Sequence, residues 1–272
     1  MSRIAACFEK LKSGNRTALV PFVTAGDPSP EAIVPVMHAL ARAGADVIEL
    51  GVPFSDPMAE GPVIQYASER ALTHNISLRD VLAMVAQFRQ QDNDTPVVLM
   101  GYLNPIEVMG YATFAEEASA AGADGVLTVD LPPEEAEAFT DELARKGLDP
   151  IFLLAPTSTE ERMQRVAAAA SGFIYYVSLR GVTGASNMNT AEVHDKLKQI
   201  RKFTDLPLGV GFGIKDSETA AAVAGVADAV VVGSALVSKL AQVEGGPDAV
   251  AKEAEEFIAS LRAAIDEVGV AA

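Results

Sequence analysis

The run Val47-Ile48-Glu49-Leu50-Gly51 sets one carboxylate inside an otherwise apolar stretch. Desolvation penalises its charged form, and no basic residue accompanies it. Burial of this kind raises a carboxyl pKa toward neutrality, where one side chain can both give and take a proton. A second acid, Glu60, follows in the loop Val52-Pro53-Phe54-Ser55-Asp56-Pro57-Met58-Ala59-Glu60-Gly61-Pro62, which its prolines stiffen. Taken alone, either Asp56 or Glu60 reads as a solvated surface charge. A different chemistry is suggested by Gly211-Phe212-Gly213-Ile214 and Gly233-Ser234-Ala235. Glycine lets backbone N–H groups approach an anion closely, and Ser234 is placed to cap a short helix whose N-terminus faces a phosphate.

Other chemistries lack their residues. No lysine ends an apolar run, so a Schiff base has no amine. His38, His74 and His194 are scattered over helical or connecting segments without metal-ligand spacing, and no Ser-His-Asp arrangement can be placed. What remains is proton transfer by carboxylates beside a phosphate anchor, without cofactor or metal.

These residues need a frame. Apolar runs rich in Val, Ile and Leu at 18–24, 46–50, 96–101, 125–129, 150–154, 173–177, 207–211 and 228–232 read as buried parallel strands. Helix signals lie between them. Ser29-Pro30-Glu31 and Ser77 start helices, and Pro132-Pro133-Glu134-Glu135 and Ser158-Thr159-Glu160-Glu161 put acids into first turns. Ala43-Gly44-Ala45-Asp46, Ala121-Gly122-Ala123-Asp124 and Gly225-Val226-Ala227-Asp228 read as left-handed glycine caps before the next strand. Strand and helix signals alternate along all 272 residues with no linker between them. The expectation is one (β/α)8 TIM barrel over residues 1–272, with an extra N-terminal helix through Phe8-Glu9-Lys10-Leu11. In such a barrel the strand C-termini build the site, and Glu49, Gly211 and Gly233 all fall there.

Composition narrows the partners. Apolar residues make up 49% of the chain, enough for a sizeable core. Lys and Arg total 21 against 37 acids, a net charge of −16, which argues against nucleic acid or an anionic membrane. A phosphate must then be held by a local device. The single Cys7, read as a small apolar residue of the first helix, suggests a reducing compartment. No run approaches the ~18 apolar residues of a membrane span, and Met1-Ser2-Arg3-Ile4 opens no signal peptide. A cytoplasmic location is expected.

The phrases Pro21-Phe22-Val23-Thr24-Ala25-Gly26-Asp27-Pro28, Ile48-Glu49-Leu50-Gly51-Val52-Pro53-Phe54-Ser55-Asp56-Pro57, Gly181-Val182-Thr183-Gly184-Ala185 and Gly211-Phe212-Gly213-Ile214 occur in that order. Together they resemble the α subunit of tryptophan synthase, over essentially the whole chain. The resemblance implies retro-aldol cleavage of indole-3-glycerol phosphate to indole and glyceraldehyde 3-phosphate. Glu49 then matches the family's main acid/base residue. The resemblance implies that Phe22, Met100, Leu127 and Tyr175 line an apolar slot for indole; taken one at a time, each reads more readily as generic barrel core. Thr183 and Gly184 would lie on a loop that closes over the site. Phe212, Gly213, Ile214, Gly233, Ser234 and Ala235 would hold the phosphate. Glu60 stands where the family usually has aspartate, one methylene shorter, and Arg180 receives no role.

The resemblance also implies a β subunit that receives the indole, in an α2β2 assembly. Pro53, Asp56, Pro57, Asn104 and Pro132, in proline-stiffened loops around the barrel mouth, are the expected contacts. The alternative for these loops is that their residues pack against one another. A stand-alone lyase, and a phosphate-binding module that only activates a partner, remain as competing readings. Retention of Glu49 in its apolar run speaks against the module.

Overall fold

The computed structural model describes residues 2–178, 190–211 and 213–271. Eight strands form a closed parallel barrel: β1 (Ala18–Thr24), β2 (Ile48–Gly51), β3 (Val97–Gly101), β4 (Gly125–Thr128), β5 (Asp149–Leu154), β6 (Ile174–Val177), β7 (Leu208–Gly211) and β8 (Ala229–Val232). Each pairs with its neighbour in the chain, and β1 closes on β8 through Ala18↔Ala229 to Pro21↔Val232. Every expected strand is present, with ends shifted by at most two residues. Both faces of these strands are covered, which is why their sequences read as apolar runs rather than alternations.

The helices are α1 (Arg3–Ser13), α2 (Pro30–Arg42), α3 (Pro62–Thr73), α4 (Leu78–Phe88), α5 (Leu103–Met109), α6 (Tyr111–Ala121), α7 (Glu137–Arg145), α8 (Glu160–Ala169), α9 (Thr190–Ile200), α10 (Ser217–Ala224), α11 (Ser234–Leu240) and α12 (Pro247–Ala271). The extra N-terminal helix α1 seals one end of the barrel. Its Ile4, Phe8 and Leu11 join Val20, Val98, Leu127, Ile151 and Phe173 in a single inner core. Ser77 closes a reciprocal capping box with Asp80 at α4, and the Thr159 side chain caps α8. Ser29 precedes α2 as expected but makes no side-chain cap bond.

The recurring aspartate phrase has a structural purpose at the strand N-termini. Asp46 accepts the Leu19 N–H at 2.9 Å, Asp124 that of Val97 at 2.8 Å, and Asp228 that of Leu208 at 2.7 Å. Each also pairs with an arginine: Arg262, Arg89 and Arg201 respectively. Three pairs of strands are thereby tied at the end away from the site, where a barrel spends its residues on stability. Gly44 and Gly122 take the left-handed conformation, at φ +96° and +90°. Gly225 does not; its φ is −69° and it stays in the right-handed region. The following Val226-Ala227 supplies one more turn before Asp228, so no reversal is needed there.

Two further expectations fail. Residues Pro132–Ala136 form turns rather than the start of a helix, and α7 begins at Glu137. Glu134 is drawn aside by ion pairs with Arg162 and Arg165, at 2.7 and 3.0 Å. Ser234 is the first residue of α11 rather than its cap, and Gly233 occupies the cap position without a side chain to bond.

Candidate active site

Glu49 is the second residue of the four-residue β2, in register with Phe22 of β1 and Val98 of β3. It is 1% exposed, and its Oε1 has no hydrogen-bond partner among the described residues. Burial pushes its carboxyl up to about 8, and the nearby Glu60 carboxylate adds to the rise. Glu60 is half-buried, and burial raises its carboxyl as well. The solvated-charge reading therefore fits Asp56, which is exposed, and not Glu60.

One distant and one nearby residue hold the Glu60 loop in place. The Ala59 N–H donates to Tyr102 Oη at 3.0 Å, and Phe54 stacks on the Tyr102 ring with centroids 5.1 Å apart. Gln65 Nε2 donates to the Glu60 carbonyl at 2.8 Å. The loop is thus fixed from β3's end on one side and from α3 on the other.

Both acids open onto a cavity of about 680 Å³ at the strand C-termini. Phe22, Met100 and Tyr175 line it, with Ile64, Val129, Leu153, Val177 and Val231. Leu127 does not. It is fully buried in the inner core shared with α1, against which Met100 and Tyr175 pack. Two strand-end glycines make room for the aromatic walls. A Cβ on Gly51 would lie 2.5 Å from Phe22, and one on Gly211 would collide with the Tyr175 hydroxyl. Gly211 therefore serves the tyrosine rather than an anion.

Gly213, Ile214, Gly233, Ser234 and Ala235 meet along one wall of the same cavity. Gly213 has a φ of +87°, a conformation that favours glycine. The N-terminus of α11 begins at this wall, so backbone N–H groups and a hydroxyl are available to an anion there. Thr183, Gly184 and Phe212 lie outside the described residues. Two basic side chains escaped the sequence reading: Arg162, from the first turn of α8, and Lys215, just after Ile214. The Gly-Phe-Gly-Ile phrase pointed toward Lys215. Nothing local announced Arg162, which reaches the cavity from α8.

An apolar slot, a desolvated acid with a second acid beside it, and a glycine-bearing wall at a helix N-terminus thus share one cavity. A family model described as "Tryptophan synthase alpha chain" matches residues 8–266. The chain belongs to the tryptophan synthase alpha chain family. The chain is 61% identical to the tryptophan synthase alpha chain of Thioalkalivibrio sulfidiphilus, over 98% of its own length and 100% of the relative's. With that of Methylococcus capsulatus it shares 60%, again over 98% and 100%. A crystal structure of the alpha chain from Legionella pneumophila superposes with a TM-score of 0.91 at 47% identity, covering 99% of each chain. A chain of tryptophan synthase from M. tuberculosis in an aminoacrylate-bound form gives 0.87 at 34% identity, covering 97% and 100%. Alpha chains of this family are carbon–carbon lyases of tryptophan biosynthesis that cleave indole-3-glycerol phosphate.

Proposed function

We propose that this chain, as one barrel domain, cleaves indole-3-glycerol phosphate to indole and glyceraldehyde 3-phosphate through Glu49 and Glu60, and hands the indole to a β subunit. The observation that carries the assignment of residues is the buried Glu49 carboxyl, pushed up to about 8 in the same cavity as the anion wall. Near neutral pH that carboxyl is protonated and can deliver its proton to indole C3. The ring nitrogen then becomes cationic, and the Glu60 carboxylate accepts its N–H. Glu49, now ionised, takes the proton of the side-chain hydroxyl; the bond to C3 breaks and its electrons return to the ring. Glu49 ends protonated, as it began, so the two products account for every atom of the substrate.

Phe22, Met100 and Tyr175 sandwich the flat ring, and Gly213, Ile214, Gly233, Ser234 and Ala235 take the phosphate, with Lys215 adding local positive charge; Arg162 also lines the cavity, but its charge is shared with Glu134. That local charge answers the difficulty posed by a net charge of −16. Asp56 and Asn104 are exposed and Pro57 and Pro132 half-exposed around the mouth, as a β-subunit contact requires. Pro53 is buried and offers no surface; Met58 and Val108, 86% and 82% exposed, are better placed. Phe54 packs on Tyr102, so part of this rim does hold itself together. A cytoplasmic location is supported by the lone free Cys7, and no helix among the described residues is long and apolar enough to cross a membrane.

The test is direct. Purified chain incubated with indole-3-glycerol phosphate should release indole and glyceraldehyde 3-phosphate in equal amounts. Substrate left intact, with and without a β subunit, would overturn the proposal.

A further inference from the structure

A second, much smaller cavity of about 20 Å³ lies beside the main one, and Glu60 lines both. Thr24, Ser68, Phe54 and Tyr102 are among its other walls. Thr24 ends β1, is 2% exposed, and its Oγ1 has no hydrogen-bond partner among the described residues. A buried hydroxyl left unpartnered is costly and is rarely kept without a purpose. Ser68 of α3 is also buried. Tyr102 Oη accepts the Ala59 N–H and so still has its own proton to donate.

A single water needs roughly 10–15 Å³ and two to four polar partners. The small cavity supplies that volume, with three hydroxyl-bearing walls and one carboxylate. We propose that this cavity binds one water molecule that joins Thr24 Oγ1 to the Glu60 carboxylate, making Thr24 a positioning residue for Glu60. The inference rests on the reading that Glu60 receives the substrate N–H. A water on the far side of the carboxylate fixes its rotation, so that one oxygen stays turned toward the substrate cavity. The loop carrying Glu60 is already anchored at Ala59 by Tyr102, and the water completes the restraint at the side chain itself.

Two measurements on the full chain decide the matter. A high-resolution crystal structure should show an ordered water about 3 Å from Thr24 Oγ1. Thr24→Val keeps the side-chain shape and removes the hydroxyl. It should lower kcat for indole-3-glycerol phosphate by about tenfold while changing KM less than about twofold, and Thr24→Ser should restore kcat to near wild type. In a Glu60→Ala background, Thr24→Val should cost nothing further. Absence of the water, wild-type kcat in Thr24→Val, or an equal loss in the Glu60→Ala background would each overturn the inference. Glu60→Ala alone reports on the role of Glu60, and the water peak on the cavity, so the two failures are distinguishable.

Discussion

Glu49 and Glu60 face the same cavity with unequal shelter: Glu49 is 1% exposed within a strand, while Glu60 is half-buried on a loop anchored by Tyr102. The charge of Glu60 raises the Glu49 carboxyl beyond what burial alone achieves. In the proposed mechanism this inequality divides the work, with the more buried acid carrying the proton and the other accepting a hydrogen bond.

Glu60→Ala should reduce cleavage strongly, about a hundredfold in kcat, whereas Glu60→Asp should stay within about tenfold of wild type. The resemblance implies the shorter acid as the usual residue at this position, but the Tyr102 and Phe54 anchor here adjoins a glutamate. Steady-state kinetics of indole release measure both. An alanine variant as active as wild type would return Glu60 to a mere loop charge.

Ser234→Asp places a negative charge at the first residue of α11, on the anion wall. Repulsion in a partly desolvated site should weaken glycerol 3-phosphate by on the order of a few kcal/mol, about a hundredfold in Kd. Calorimetric titration would reveal the change; unaltered affinity would mean that the phosphate binds elsewhere.

The raised Glu49 carboxyl also predicts a pH dependence of stability. Its folded value, about 8, stands above its ordinary 4.5, so the native state holds this proton more tightly than the unfolded chain. The resulting stabilisation is complete below about pH 4.5 and is lost as pH rises through about 8, on the order of a few kcal/mol in all. Glu60 acts in the same direction. Denaturant titrations of wild type and Glu49→Gln at several pH values should show the difference in stability between them moving in the glutamine's favour as pH rises. A pH-independent difference would place the Glu49 carboxyl at its ordinary value.

Much of this was readable in the chain. Parallel strands buried on both faces announce themselves as apolar runs, so the barrel and Glu49's place in it followed from local pattern. Features made by residues distant in sequence did not. The loop before Glu60 is anchored by Tyr102, far along the chain, and Arg162 reaches the cavity from α8, which no local pattern announces. Leu127 shows the opposite limit. A strand-end leucine can line the cavity or be wholly covered by the core beneath its neighbours, and the sequence pattern does not distinguish the two. Gly225 and Pro132–Ala136 show that a familiar phrase leaves the exact turn open, because the preceding helix and nearby ion pairs decide it.

The β subunit should accelerate cleavage by this chain, since a partner pressing on the loop after β2 favours the arrangement that carries Glu60. Asp56 is exposed on that loop, with Ser55 Oγ donating to it at 2.6 Å. Asp56→Lys should weaken the activation more than it alters the basal rate. Equal rates with and without the β subunit, or no complex on sedimentation, would favour a stand-alone lyase.

The central claim is that the Glu49 carboxyl moves the proton on which cleavage depends. Glu49→Gln preserves size and most hydrogen bonding but cannot exchange that proton. Single-turnover indole release from indole-3-glycerol phosphate, measured beside the affinity for glycerol 3-phosphate, isolates this step. The account predicts that release falls by at least about a thousandfold while affinity changes less than about threefold. A variant that releases indole at a rate comparable to wild type would contradict it.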